Sequence, residues 1–150
     1  MGDTWTERDM SIRVELPTVF KNELVAEAVA RQVAELSGFS EEEIEEIETA
    51  LGEACINAIE YSKCFNDYFT VTFTATENFL QISVEDKGEG FSPEEVDHNP
   101  TISSKLNSEY KRGWGLMLIE QLMDEIQISQ AEPSGTKVEM KKYKSTADQQ

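Results

Sequence analysis

Between residues 69 and 84 the chain alternates twice with a period of two. Phe69, Val71, Phe73 and Ala75 take turns with Thr70, Thr72 and Thr74, and Leu80, Ile82 and Val84 take turns with Gln81, Ser83 and Glu85. Successive side chains of a strand point to opposite faces, so each segment predicts a strand with one apolar and one polar side. Only Thr76-Glu77-Asn78 separates them, which predicts an antiparallel hairpin. A sheet built on this hairpin must have one face covered and can leave the other to water. The remaining segments supply strands and cover. Ile12, Val14 and Leu16 alternate as a first strand, and Lys21 to Ser37 reads as an amphipathic helix that stops at Gly38. Ser40 and Glu43 form a capping box, with Phe39 able to staple onto Ile44. The helix they start carries Ile44, Ile47, Leu51, Cys55 and Ala58 as its buried stripe and ends near Tyr61 to Asn66. Leu118, Ile119, Leu122, Met123 and Ile126 recur at helical spacing. A strand near Ile126 to Ser129, a turn at Pro133-Ser134-Gly135 and a strand through Val138 and Met140 follow. Strands with helices able to cover one sheet face predict an α+β fold, a two-layer α/β sandwich. We expect one domain over 10–143, with flexible ends at 1–9 and 144–150.

Charge narrows the function. Thirteen Lys and Arg against thirty Asp and Glu give a formal net charge of −17. Phosphate backbones need clustered cations, so direct nucleic-acid binding is excluded, and the acidic surface suits steering toward a basic protein or simple solubility. The polar opening Met1 to Met10 lacks the apolar region of a secretory signal, and no apolar run is long enough to cross a bilayer. A cytoplasmic protein with no membrane partner is expected. Cys55 and Cys64 fit no metal-ligand or dithiol spacing and read as free thiols.

Three short segments carry the chemistry. Glu53 and Asn57 lie one turn apart, well away from the buried stripe of their helix. They offer a carboxylate as general base and an amide oxygen as a hard ligand for magnesium, although the same face would also serve as solvated surface. Asp86-Lys87-Gly88-Glu89-Gly90 follows the second hairpin strand. Its acceptor-only carboxylate suits an exocyclic amine such as that of adenine, and Gly88 and Gly90 let a loop close on a flat ligand, as well as making ordinary turns. Lys111-Arg112-Gly113-Trp114-Gly115-Leu116 precedes an apolar-periodic run. Glycines at the head of a helix allow a phosphate to approach its free N–H groups, and the two cations strengthen that reading.

In this order, with Gly135-Thr136 before the strand from Lys137 to Lys142, these segments resemble the N box and glycine boxes of the Bergerat-fold ATPases. That superfamily includes gyrase, the histidine kinases and the MutL mismatch-repair proteins. Within it, the Glu53–Asn57 spacing and the run from Gly115 to Glu125 are similar to the anti-sigma-factor serine/threonine kinases of bacterial partner-switching systems. The resemblance implies a histidine-kinase-like ATPase fold with a mixed, mostly antiparallel sheet. It implies Glu53 as catalytic base, Asn57 as magnesium ligand and Asp86 on the adenine amine, with Gly88, Gly90, Gly113, Gly115, Leu116 and Thr136 around the nucleotide. Phe91 to Arg112 becomes an ATP lid, from which Lys111 or Arg112 reaches the terminal phosphate.

The cofactors so implied are ATP and Mg2+. The partners are a sigma factor, a STAS-domain anti-anti-sigma protein and a second copy in a homodimer. Kinases of this type often carry a histidine where this chain has Tyr61. His98, the only histidine, lies in the lid region, which argues against a histidine autokinase. A second class stays open at this stage: a non-catalytic, ATP-dependent binding module that holds a signalling partner.

Overall fold

The hairpin forms where the alternation placed it. In the computed structural model, which describes residues 9–60, 67–87, 108–131 and 135–145 without the side chains of 108–114, β2 (Tyr68–Ala75) pairs antiparallel with β3 (Phe79–Glu85). Thr76 closes the turn. Its N–H donates to the Phe79 carbonyl at 2.9 Å, and its hydroxyl oxygen accepts from the N–H groups of Asn78 and Phe79 at 3.1 Å each. On one face of the pair Phe69, Val71, Phe73, Leu80, Ile82 and Val84 are buried, while the threonines and Gln81 face outward and half-exposed.

Three further strands extend this ladder: β1 (Met10–Pro17), β4 (Glu125–Gln130) and β5 (Thr136–Tyr143). The order is β1-β2-β3-β5-β4, and every pairing among the described residues is antiparallel. Register aligns the apolar positions across the sheet, with Val84 opposite Val138 and Ile82 opposite Met140. The expectation of a mostly antiparallel sheet thus holds.

Helices α1 (Asn22–Ser37), α2 (Glu41–Glu60) and α3 (Ser108–Leu122) cover the apolar face. Gly38, at φ +93, ends α1: its own N–H bonds the Glu35 carbonyl and that of Phe39 bonds the Ala34 carbonyl, a left-handed stop that favours glycine. Two residues later the capping box is reciprocal, with Ser40 N–H on Glu43 Oε1 at 2.9 Å and Glu43 N–H on Ser40 Oγ at 3.2 Å. Arg31 ties the two helices, meeting Glu48 and Glu41 with paired contacts of 2.9–3.1 Å and Glu35 at 3.3 Å.

Deeper down, a carboxylate oxygen of Glu27 occupies the space that a side chain at Gly52 would need. At the far end of the helical layer, buried Lys142 on β5 donates at 2.6 Å to Glu46 of α2 and at 2.6 Å to the Leu122 carbonyl. That lysine satisfies an acceptor at the open C-terminal end of α3 and pins the sheet to two helices. Among the described residues no helix is long and apolar enough to cross a membrane.

Candidate nucleotide and phosphoryl-transfer site

The C-terminal half of α2 is buried nearly all round. Besides the predicted stripe it buries Ala50, Gly52, Ala54, Ile59 and, contrary to the expected outward face, Asn57. The reason is α3, which packs on that side of α2. At Gly115 of α3 a methyl group would stand 3.2 Å from both Asn57 Nδ2 and Glu53 Oε1, so the absent side chain leaves the room that both groups use. Leu116, next along, is a core residue rather than part of an open surface.

Burial gives the two polar groups different characters. Asn57 is 8% exposed, and its Nδ2 has no hydrogen-bond partner among the described residues. Glu53 is half-buried, and its carboxyl is raised above the ordinary glutamate range, first by desolvation and then by the charge of Glu60. A carboxylate made more basic in this way takes a proton more readily near neutral pH.

The other side of the candidate site is a crossing of two backbones. Asp86, just past β3, donates its N–H to the Thr136 carbonyl at 3.0 Å, while the Thr136 N–H donates to Asp86 Oδ1 at 3.3 Å. This exchange fixes the orientation of the carboxylate. Gly135 enables it: at φ +102, any Cβ there would overlap the Asp86 carbonyl. Thr136 is 2% exposed, and its hydroxyl oxygen is a second buried polar atom without a partner.

Orphaned buried polar atoms are rare because each forfeits hydrogen bonds to water. The donor set fits a nucleotide with a hard cation. A buried carboxylate and hydroxyl can meet a base edge, and the Asn57 amide, whose O and N positions interchange by a flip, can turn its oxygen toward magnesium.

Residues 21–142 match the histidine kinase-like ATPase domain family. The chain belongs to that family. Among its relatives, the serine-protein kinase RsbW of Bacillus subtilis is 34% identical over 74% of this chain and 71% of its own length. The anti-sigma F factor of Clostridium perfringens is 32% identical over 92% of this chain and 99% of its own. The crystal structure of the RsbU and RsbW domains of a Mycobacterium tuberculosis protein shares the fold. Its TM-score is 0.65 at 18% identity, and the match covers 91% of this chain and 33% of that one.

Other predicted positions of this histidine kinase-like domain fall differently. Gly113 and Gly115 lie inside α3, which begins at Ser108, and not at its head as the sequence suggested. The free N–H groups of that helix belong to its first turn, before the glycines. The same start shortens the predicted lid. Lys111, Arg112 and Gly113 are on α3 with undescribed side chains; Gly88, Gly90, Tyr61, Cys64 and His98 lie outside the described residues. Cys55 is a buried free thiol pushed well above its usual range by desolvation, so it is inert.

Two contributors escaped the sequence reading. Gly135 was read as a turn residue and as part of the last glycine box, but its close approach to the Asp86 carbonyl was not, and the Glu27–Gly52 contact was not seen at all. A glycine in mid-helix is the signal that would have flagged the second, since it marks a close approach.

Proposed function

We propose that the protein is a serine/threonine protein kinase that binds ATP with Mg2+, sequesters a sigma factor and phosphorylates a STAS-domain anti-anti-sigma protein. The observation that carries this reading is the joint placement of Glu53 and Asn57 against Gly115, one a carboxylate made basic by burial, the other a buried amide without a partner. The names of the relatives support the same class of activity.

In this mechanism Glu53 accepts the proton of the acceptor serine hydroxyl as it attacks. Asn57 holds the cation through its amide oxygen, Asp86 accepts from the adenine amine, and Lys111 or Arg112 meets the terminal phosphate. Magnesium, when bound, supplies positive charge against the negative charge of the transferring phosphoryl group. The packing of α3 beside α2 partly desolvates the base. A module that used nucleotide only as a structural ligand would leave a half-buried Glu53 of raised basicity without a task.

Single-turnover transfer from labelled ATP to a copurified acceptor protein tests the assignment. Glu53→Gln should keep ATP affinity and slow transfer about 10²–10⁴-fold. Normal rates in that variant would remove Glu53 as the base. Asp86→Asn should weaken ATP binding by about 1–3 kcal/mol in calorimetry, because it turns an acceptor into a donor facing the adenine amine. The chain works as a homodimer in the cytoplasm in this reading. A partner that ATP favours over ADP must in turn tighten ATP over ADP by the same factor.

A further inference from the structure

Two helices pack against α2, and each comes close to it at a glycine beside the candidate base. α1 can approach because it turns small residues inward: it buries Ala26, Ala30, Val33 and Ala34, and leaves Leu24, Val25 and Leu36 exposed. A carboxylate oxygen of its Glu27 then fills the notch at Gly52, the residue directly before Glu53. On the other approach, Gly115 of α3 leaves room for Glu53 Oε1 and the Asn57 amide.

The two glycines divide the space around Glu53. Neighbouring residues of a helix point about 100° apart, so a glutamate at 53 can lean back over residue 52 toward α1, or across toward α3. The first course is taken by Glu27. The observed course brings Oε1 to Gly115, beside Asn57.

Glu27 is a costly filler. Desolvation, and after it the charges of Glu48, Glu23 and Glu53, all raise its carboxyl. Arg31, one turn further along α1, is engaged by Glu35, Glu41 and Glu48. A glutamine would occupy the same notch without the charge, whereas a half-buried carboxylate set among others lowers stability. Such a choice against stability is found where a function needs it. Its neighbour tells what the charge can do. Repulsion between carboxylates is mutual, so the group that Glu53 perturbs also acts on Glu53.

We infer that Glu27 is a positioning residue for phosphoryl transfer: its carboxylate, lodged at Gly52, holds the Glu53 carboxylate away from α1 and against Gly115, where it meets the acceptor hydroxyl. The inference rests on the reading of Glu53 as the base. Glu27 takes no proton in the reaction and acts through Glu53 alone.

The test uses the full chain, labelled ATP with Mg2+ and the acceptor protein copurified from the native cell. Glu27→Gln removes the charge and keeps the shape. Single-turnover transfer should fall about tenfold, the size expected when a reacting group is misplaced, with ATP affinity unchanged within about twofold. Its melting temperature should not fall. In the Glu53→Gln background the same change should add nothing. Gly52→Ala pushes the carboxylate out of its notch and should slow transfer to a similar extent. Adding the shorter carboxylate of Glu27→Asp should then recover most of the rate, and adding Glu27→Gln should recover none. A crystal structure of Glu27→Gln should show the Glu53 side chain turned, at least in part, toward α1.

Normal transfer in Glu27→Gln beside slow transfer in Glu53→Gln would overturn the positioning role alone. Normal transfer in Glu53→Gln would remove the base itself, and this inference with it. A loss in Glu27→Gln that comes with weaker ATP binding or lower melting, or that persists in the Glu53→Gln background, would assign Glu27 to the nucleotide or to packing and overturn the proposal. An unmoved Glu53 in the crystal structure would do the same without need of any acceptor.

Discussion

Two groups of buried polar side chains, beside the lone Ser37 hydroxyl that also has no partner among the described residues, are treated in opposite ways. At Lys142 the ammonium has Glu46 and the Leu122 carbonyl, each at 2.6 Å. At the other, Asn57 Nδ2 and Thr136 Oγ1 have nothing among the described residues. A buried charge that serves only to hold a fold must be answered within the fold, or the layer would not form. Groups kept for a ligand must be left wanting one. The contrast agrees with the site proposed above, in which Asn57 and Thr136 wait for a ligand and Lys142 holds the fold.

The largest effect should come from the answered group. Lys142→Met strands Glu46 and the end of α3, and because Glu46 is partly exposed the loss should be about 2–4 kcal/mol in denaturant unfolding. Fully folded variant should still bind ATP as wild type does. A fall in intrinsic ATP affinity would blur the division between the two places.

Gly115→Ala should do the reverse. Alanine favours the helix by about 0.5–1 kcal/mol over glycine, yet its methyl would stand 3.2 Å from the ends of Glu53 and Asn57 and shift both. Stability should hold or rise while phosphoryl transfer drops about tenfold, a loss of the size expected when reacting groups are misplaced. A variant that loses stability and keeps transfer would contradict the site.

Thr136→Val sharpens the comparison at one atom. Removing an unpartnered hydroxyl at constant shape should leave nucleotide-free stability unchanged or raise it by up to about 1 kcal/mol, while ATP binding weakens by a similar amount. Thermal unfolding without nucleotide, beside calorimetry with it, reads both signs. Lower stability together with unaltered ATP affinity would mean that the hydroxyl serves the fold.

The smallest effect is expected at Glu27, whose carboxyl is raised by desolvation and then by Glu48, Glu23 and Glu53. A raised folded pKa means that the folded state binds the proton more tightly than the unfolded chain. The associated stability is present below the ordinary glutamate range and is lost as pH rises through the folded value. At neutral pH Glu27→Gln should therefore melt slightly higher than wild type, and the gap should close on acidification. A variant that melts lower at neutral pH would show that the carboxylate is needed as a charge.

Most of the sheet was legible because its information is local. The Phe69–Ala75 and Leu80–Val84 alternations, the Ser40–Glu43 cap and the Gly38 stop each declare themselves within a few residues, and each stands where it was expected. The burial of Asn57 was not legible, since it depends on α3 arriving from more than fifty positions later in the chain. The start of α3 was misjudged for a related reason. Glycine signals a helix end when propensity alone decides, but Gly113 and Gly115 lie within the helix, where closeness to α2 at Gly115 outweighs propensity. The outward apolar side of α1 was hidden because periodicity reveals a stripe without saying which stripe faces in.

The exchange of hydrogen bonds between Asp86 and Thr136 joins positions fifty residues apart, one of them at the first residue of the last strand. During synthesis the ribosome must therefore deliver β5 before this wall of the proposed nucleotide site can exist. Contacts that span so much chain form late, after hairpins and helices have gathered. Nucleotide cannot guide the early steps of folding here. If it binds at the proposed site it can reward only a chain that is nearly finished, so ATP retention would then report that assembly is complete.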